Sequence, residues 1–432
     1  MALMPLVFVH GVGNRINGHH AQLTRARDAL FRRHLLSSHV RDDGGPISIH
    51  NPYWGGIASS LAWGGASIPL RAHTDAEHLG QEDADDALFE ELSAAFVPSG
   101  SPLPPLLATA RLGLGEAVDL LWAAALAEHP EDADELAGMS RAAVAYAAAD
   151  PRPAWLESVH TDAEFLARLH QELSRFTERR TRDDGPDPAD EAARWESLGG
   201  SLGWWDAVRS TGQRLGQTVV AGAGGAGAER FRGRAGKQAA LFLGDIFAYL
   251  RQNTTPTGLR AADHPSASEG GKAAPGGAAS GWGDIAEGIA NAVTAAYAEA
   301  ERGDPLVIVA HSMGGNIVYD ILSGLLGRRD VQVDLLVTVG SQVGLFEELK
   351  LFSSSRGDVP GPAALHVPRP ETVRRWLNVI DFSDPLAFGT EAVFDGVQDL
   401  VYRTGRVQAH SAYFLQPRFH ALLAAQAAGR TP

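Results

Sequence analysis

Ser312, His410 and an aspartate at 381 or 384 are the residues of this chain whose types and order could turn a hydroxyl into a nucleophile. A serine hydroxyl attacks poorly until a base takes its proton, and the base works best when an acid orients it. Ser312 stands at the apex of Leu306–Gly315, LVIVAHSMGG: an apolar β-branched run, a turn of small residues, then a helix-compatible run. The turn fits the pattern G-x-S-x-G with Ala310 in place of the first glycine. A sharp strand-to-helix turn of this kind holds the hydroxyl clear of the backbone and leaves amide donors beside it.

At such a turn the partners follow in the order nucleophile, acid, histidine. Beyond Asp384 only His410 and His420 remain. His410 follows a strand signal ending at Val407 and precedes a helix, where a loop can carry an imidazole over the carboxyl edge of a sheet. His420 falls inside a helical pattern and reads as structural. For the acid, the stretch WLNVIDFSDP offers two residues. Asp384, ahead of Pro385 and beyond the strand end, is the better placed; Asp381 is the alternative. Acyl transfer also needs backbone N–H donors for the oxyanion. Met313, next after the serine, is one, and the early turn His10-Gly11-Val12-Gly13 offers the second at Val12.

These groups need a scaffold, and both ends of the chain supply one. Strand signals fall at Pro5–Val9, Ile47–Trp54, Leu306–Ala310, Val333–Val339, Arg375–Ile380 and Leu400–Val407. Helical spacing falls at His20–Leu36, Ile285–Glu301, from Ser312 to about Leu326, and at Ser411–Ala425. Such alternation predicts an α/β fold: a mostly parallel sheet of about six strands with helices on both faces. The middle of the chain is different. Leu103–Ala127, Glu131–Ala149, Asp162–Phe176 and Gly236–Arg251 all show helical spacing, with no strands between them. The expected division is a core of 1–55 and 284–432, and a helical insertion, 56–283, serving as a cap with a flexible loop near 264–283.

Composition narrows the function classes. The chain has 432 residues and a net charge of −15, which argues against a nucleic-acid partner. It has no cysteine, so disulfides, thiolate nucleophiles and cysteine metal sites are excluded. Ala2–Val9 is too short and lacks the basic start of a signal peptide. The apolar run Leu103–Ala127 is interrupted by Arg111, Glu116 and Asp119, so no integral membrane segment is expected and the expected location is cytoplasmic.

VFVHGVGN, AHSMGG, the loop after WLNVID and AHSAYF together resemble the α/β-hydrolase superfamily, and most of all its lipase- and esterase-like members, including the group similar to GPI inositol-deacylases. The resemblance covers about Pro5–Trp54 and Asp284–Pro417 and leaves out the insertion. It implies a Ser312–Asp384–His410 catalytic triad, an oxyanion hole of Val12 and Met313, and hydrolysis of a small-molecule or lipid-like carboxylic ester, with no cofactor and no metal. Acyl transfer or thioester cleavage on the same residues is one alternative. A hydrolase-like scaffold working as an interaction module is another.

Other signals read as structure. Gly222–Gly227 fits G-x-G-x-x-G without a strand before it, and Gly233–Lys237 only partly resembles a phosphate loop. His19 and His20 have no third ligand at useful spacing, and acidic Glu82–Glu91 reads as a solvated helix face. Asp245 and Tyr249 could hydrogen-bond into the site, but the simpler expectation is a helix packed through Leu241, Phe242, Phe247 and Leu250. Trp54, Trp63, Trp204 and Trp205 could line an acyl pocket, with core packing the simpler expectation.

Overall fold

Short apolar runs build the centre of this protein. Strand β1 (Leu6–Val9) is LVFV and buried along its whole length, as expected of a strand covered on both faces. In the computed structural model it is flanked by β2 (Ile49–His50) on one side and β3 (Val307–His311) on the other. The sheet continues through β4 (Val333–Val339), β6 (Val373–Ile380) and β8 (Val397–Val401), all parallel, in the order β2-β1-β3-β4-β6-β8. β5 (Val367–Pro368) and β7 (Phe394–Asp395) form a separate parallel pair. The structure describes residues 5–15, 18–36, 47–60, 103–184, 205–212, 243–252, 282–300, 305–327, 331–405 and 409–429. The expected features at 82–91, 222–227 and 233–237, residues 264–281 of the expected loop, and Trp63, Trp204, Leu241 and Phe242 lie outside these.

Side chains alternate across the sheet with the strand period. Val7, Val9, Ile308 and Ala310 join a core with the helices Asp284–Glu299 and Met313–Ser323. Leu6, Phe8, Val307 and Val309 point the other way, into a core with Phe31, Phe414 and Phe419. The expected mostly parallel six-strand sheet with helices around it is therefore present.

Several expected boundaries moved, among them the second strand, which is Ile49–His50 and not Ile47–Trp54. The run Leu103–Ala127 is two helices, Pro105–Leu112 and Leu114–Glu128, parted at the extended Gly113. The last strand ends at Val401, not Val407, and the closing helix is in pieces because Pro417 starts a new one.

The helices Leu114–Glu128 and Ala133–Ala149 pack against Gly18–Leu30 and Pro417–Ala427, and share one core with Ala26, Ala29 and Leu30. Buried Asp119 joins the two pairs: it receives the Tyr402 hydroxyl at 3.0 Å and the Arg418 backbone N–H at 3.1 Å. Helix 243–252 departs from its simple expectation. Asp245 and Tyr249 are buried, whereas Phe247 is 65% exposed. Packing follows the polar pair because each finds a partner inside, as described below. No helix among the described residues is long and apolar enough to cross a membrane.

The chain leaves β1 for β2 on one side and returns to β3 on the other. This reversal makes the carboxyl ends of β1 and β3 a topological switch point, where parallel α/β sheets bind ligands in a crevice. Gly11–Gly13 follows β1 and Ser312 follows β3, so the fold brings both expected halves of the site to that switch point.

Candidate active site

Ser312 caps the helix Met313–Ser323 with φ 54° and ψ −129°, a conformation that non-glycine residues rarely hold. The surroundings fix it there. Its N–H donates to Val339 O at 2.9 Å, and its carbonyl accepts from Gly315 N at 2.9 Å and Ser341 Oγ at 3.0 Å. Strain held in place by its neighbours is a recurrent property of functional sites.

The small residues of the motif have specific reasons. A Cβ on Gly314 would lie 2.5 Å from Val9 O and 2.7 Å from His10 O, both backbone atoms. A Cβ on Gly11 would lie 2.7 Å from Ser312 Cβ. The first glycine turn therefore touches the serine directly. Ala310 is buried on β3 in register with Val9 and Thr338, where a methyl group is accommodated. Gly314→Ala is expected to lower the unfolding free energy by about 1–3 kcal/mol, because backbone carbonyls cannot step aside; urea denaturation would read it, and unchanged stability would refute the steric account.

His410 lies 2.8 Å from Ser312 Oγ through Nε2. Its Nδ1 lies 2.9 Å and 3.1 Å from the two Asp384 carboxylate oxygens. The expected serine, histidine and aspartate thus form one hydrogen-bonded chain. Asp384 also receives the Leu386 N–H at 2.9 Å and the Tyr413 hydroxyl at 3.0 Å. Burial works to raise its carboxyl, but His410 foremost, then Leu386 and Tyr413, outweigh that and hold it below the usual range. Burial and the Asp384 charge push Tyr413 far up, so the phenol stays a donor.

Asp381, the alternative acid, is occupied elsewhere. It receives Thr404 N and Oγ1, both at 2.7 Å, and Ser383 N at 2.8 Å. It ties the loop after β6 to the segment after β8. His420 is buried with Nε2 on Phe414 O at 2.9 Å, in the structural place expected of it.

Met313 is the first residue of its helix, so its N–H has no partner one turn back. Val12 sits on the turn after β1. The Val12 N–H has no hydrogen-bond partner among the described residues. Gly13, at φ +76°, donates its N–H to Asp245 at 2.8 Å.

Several contributors escaped the sequence reading. His311, inside the motif, is 2.7 Å from His410 O through Nε2, and its ring lies 4.7 Å from that of His410. Burial, with His410 adding to it, lowers His311 to about 3, so it remains a neutral donor to that carbonyl. Gly340, at φ +55°, leaves room for the acid: a Cβ there would stand 2.8 Å from Asp384 Oδ2. His10 stacks on Trp54 at 5.2 Å between ring centres, and Trp54 Nε1 donates to His10 O at 2.9 Å. Trp54 is therefore a brace for the glycine turn. A glycine after a strand and a histidine inside the motif were the available signals; neither has a period that singles it out.

His129, Glu131 and Asp132 bring three potential metal-ligand atoms within 4.8 Å of one another between the helices Leu114–Glu128 and Ala133–Ala149. They are partly exposed, and no other feature there points to an ion.

Compared with family models, with curated proteins and with solved structures, the chain matches none. The functional reading therefore rests on the geometry alone. An imidazole at hydrogen-bond distance from a hydroxyl can take its proton, and a carboxylate on the far nitrogen fixes the tautomer and stabilises the imidazolium.

Proposed function

We propose that this protein is a serine hydrolase of the α/β-hydrolase kind that cleaves carboxylic esters. The observation that carries the proposal is the continuous chain Ser312 Oγ, His410 Nε2, His410 Nδ1, Asp384 at 2.8 and 2.9 Å, placed at the switch point of the sheet. The strand order and the position of the serine after β3, the acid after β6 and the histidine after β8 support the same reading. In it, residues 1–55 and 284–432 form the hydrolase core, and 56–283 is the insertion that shapes the pocket.

His410 takes the Ser312 proton as Oγ attacks the ester carbonyl. The amides of Val12 and Met313 receive the developing oxyanion. His410 then gives the proton to the departing alcohol, leaving an acyl-serine. Water, deprotonated by His410, attacks that acyl group, and the acid product leaves as Ser312 regains its proton. The substrate class is a small-molecule or lipid-like ester.

A fluorophosphonate probe tests this. Labelling of the wild type together with p-nitrophenyl ester turnover is expected, and Ser312→Ala should lose both. A folded wild type that resists the probe while a reference serine hydrolase reacts would remove the proposal.

A further inference from the structure

Val12 is the pivot of the glycine turn, and the peptide planes on either side of it are both anchored. The Gly11 carbonyl accepts from Asn14 Nδ2 at 3.1 Å and lies 2.7 Å from His10 Nδ1. His10 Nε2 faces the Trp54 N–H at 3.3 Å, so the imidazole proton belongs on Nδ1, where it is donated to that carbonyl. On the other side, the Gly13 N–H is held by Asp245 Oδ2 at 2.8 Å. A peptide unit is a rigid plane, and a residue has two soft dihedrals. With a plane pinned on each side, Val12 has neither dihedral free, and the direction of its N–H is fixed.

The anchor on the Gly13 side comes from 232 residues away in sequence, on helix 243–252 of the insertion. Asp245 is fully buried and saturated with donors. Arg15 reaches it at 2.8 and 3.2 Å, and Ser59 through N at 3.0 Å and Oγ at 2.5 Å. Four residues further along the same helix, Tyr249 donates to Asp320 at 2.8 Å. Asp320 lies on the helix that begins at Met313. One insertion helix therefore holds both segments that carry the expected oxyanion donors.

We propose that Asp245 is a positioning residue of the oxyanion site, so that the insertion completes the catalytic centre as well as flanking it. This rests on the hydrolase reading above. An oxyanion donor works because it is oriented before the charge forms. Loss of the Gly13 anchor should weaken transition-state binding and spare ground-state binding.

The test is steady-state ester hydrolysis by the full-length Asp245→Ala and Asp245→Asn variants, with thermal unfolding recorded for each. Asp245→Ala is expected to lower kcat about 10- to 100-fold with KM within about twofold. Asp245→Asn, which keeps an acceptor for Gly13, should fall between Asp245→Ala and wild type, and it serves where the alanine variant fails to fold. Inhibition by a trifluoromethyl ketone, whose hemiketal with Ser312 Oγ mimics the tetrahedral intermediate, should weaken in proportion to kcat/KM. A merely structural aspartate would shift the melting curve and leave that proportion unmoved. Folded variants with kcat within twofold of an active wild type would overturn the proposal alone. A wild type inert to both the ester and a fluorophosphonate would overturn the hydrolase reading and this proposal with it.

Discussion

His410→Ala will slow ester turnover by about a millionfold, and Asp384→Asn by about ten-thousandfold, with Asp381→Asn close to wild type. The first loss is larger because the imidazole at 2.8 Å from Ser312 moves the proton itself. Asp384→Asn keeps the shape, but the Asn amide group can present a donor to Nδ1 and drive the wrong tautomer toward the serine. Asp381→Asn is the control with the same chemistry. Asp381 holds Thr404 and Ser383 and makes no contact with His410. Its change should appear as stability, about 1–3 kcal/mol for a buried acceptor with weakened partners. Steady-state kcat and urea denaturation on the three variants separate the cases. Full activity in Asp384→Asn would sink the assignment of the acid.

The core of this site was legible where crowding by backbone atoms leaves a mark in residue type. Gly314 must be small since Val9 O and His10 O crowd it. The turn therefore left a mark in the sequence that needs no partner to be read. The expected strands Pro5–Val9, Leu306–Ala310 and Val333–Val339 lie on β1, β3 and β4, buried runs dominated by aliphatic residues that stand out in the sequence. Asp384, farther beyond the strand end than Asp381, is the aspartate that the fold brings to His410. What stayed hidden are contacts closed over long stretches of chain. Nothing near Asp245 announces Gly13, and nothing near Asp119 announces Tyr402 or Arg418. Helix 243–252 shows why the simple expectation erred. Hydrophobicity alone turns Phe247 inward, but a carboxylate with Arg15, Ser59 and Gly13 waiting for it, and a phenol with Asp320, outrank one aromatic side chain. A buried polar group without partners costs more than an exposed ring.

Acid will unfold this protein steeply, beginning below pH 6.5, because five imidazoles, half-buried His170 among them, are held under that ordinary value chiefly by burial. His10 falls to about 4, and His311 and His420 to about 3. His34 lies well below its usual value. Cationic neighbours add to this: His20, Arg27 and Arg15 for His10, His420 and Arg141 for His34, and Arg27 for His420. His311 faces His410 and His10, with Asp384 opposing them. The unfolded chain protonates each imidazole near 6.5, and the folded protein does so only at lower pH. Between those values the unfolded state binds more protons, so stability is complete above the unfolded value and is lost as pH falls. Each group removes about 1.4 kcal/mol per pH unit. Asp119 and Asp162, both raised chiefly by burial, act in the opposite sense and offset two of the five imidazoles. Burial lifts Asp119 to about 6 from 3.8, so the folded state takes up a proton there that the unfolded chain lacks. Asp384, held below 3.8, adds to the acid loss only at still lower pH. The net slope, about three protons' worth or roughly 4 kcal/mol per pH unit, exhausts a typical stability of about 5–15 kcal/mol within a few pH units. Urea unfolding at a series of pH values should show that slope, and His420→Asn should flatten it by one proton. Stability that stays level down to about pH 4 would mean that these imidazoles accept protons in the fold, and the burial argument would fail.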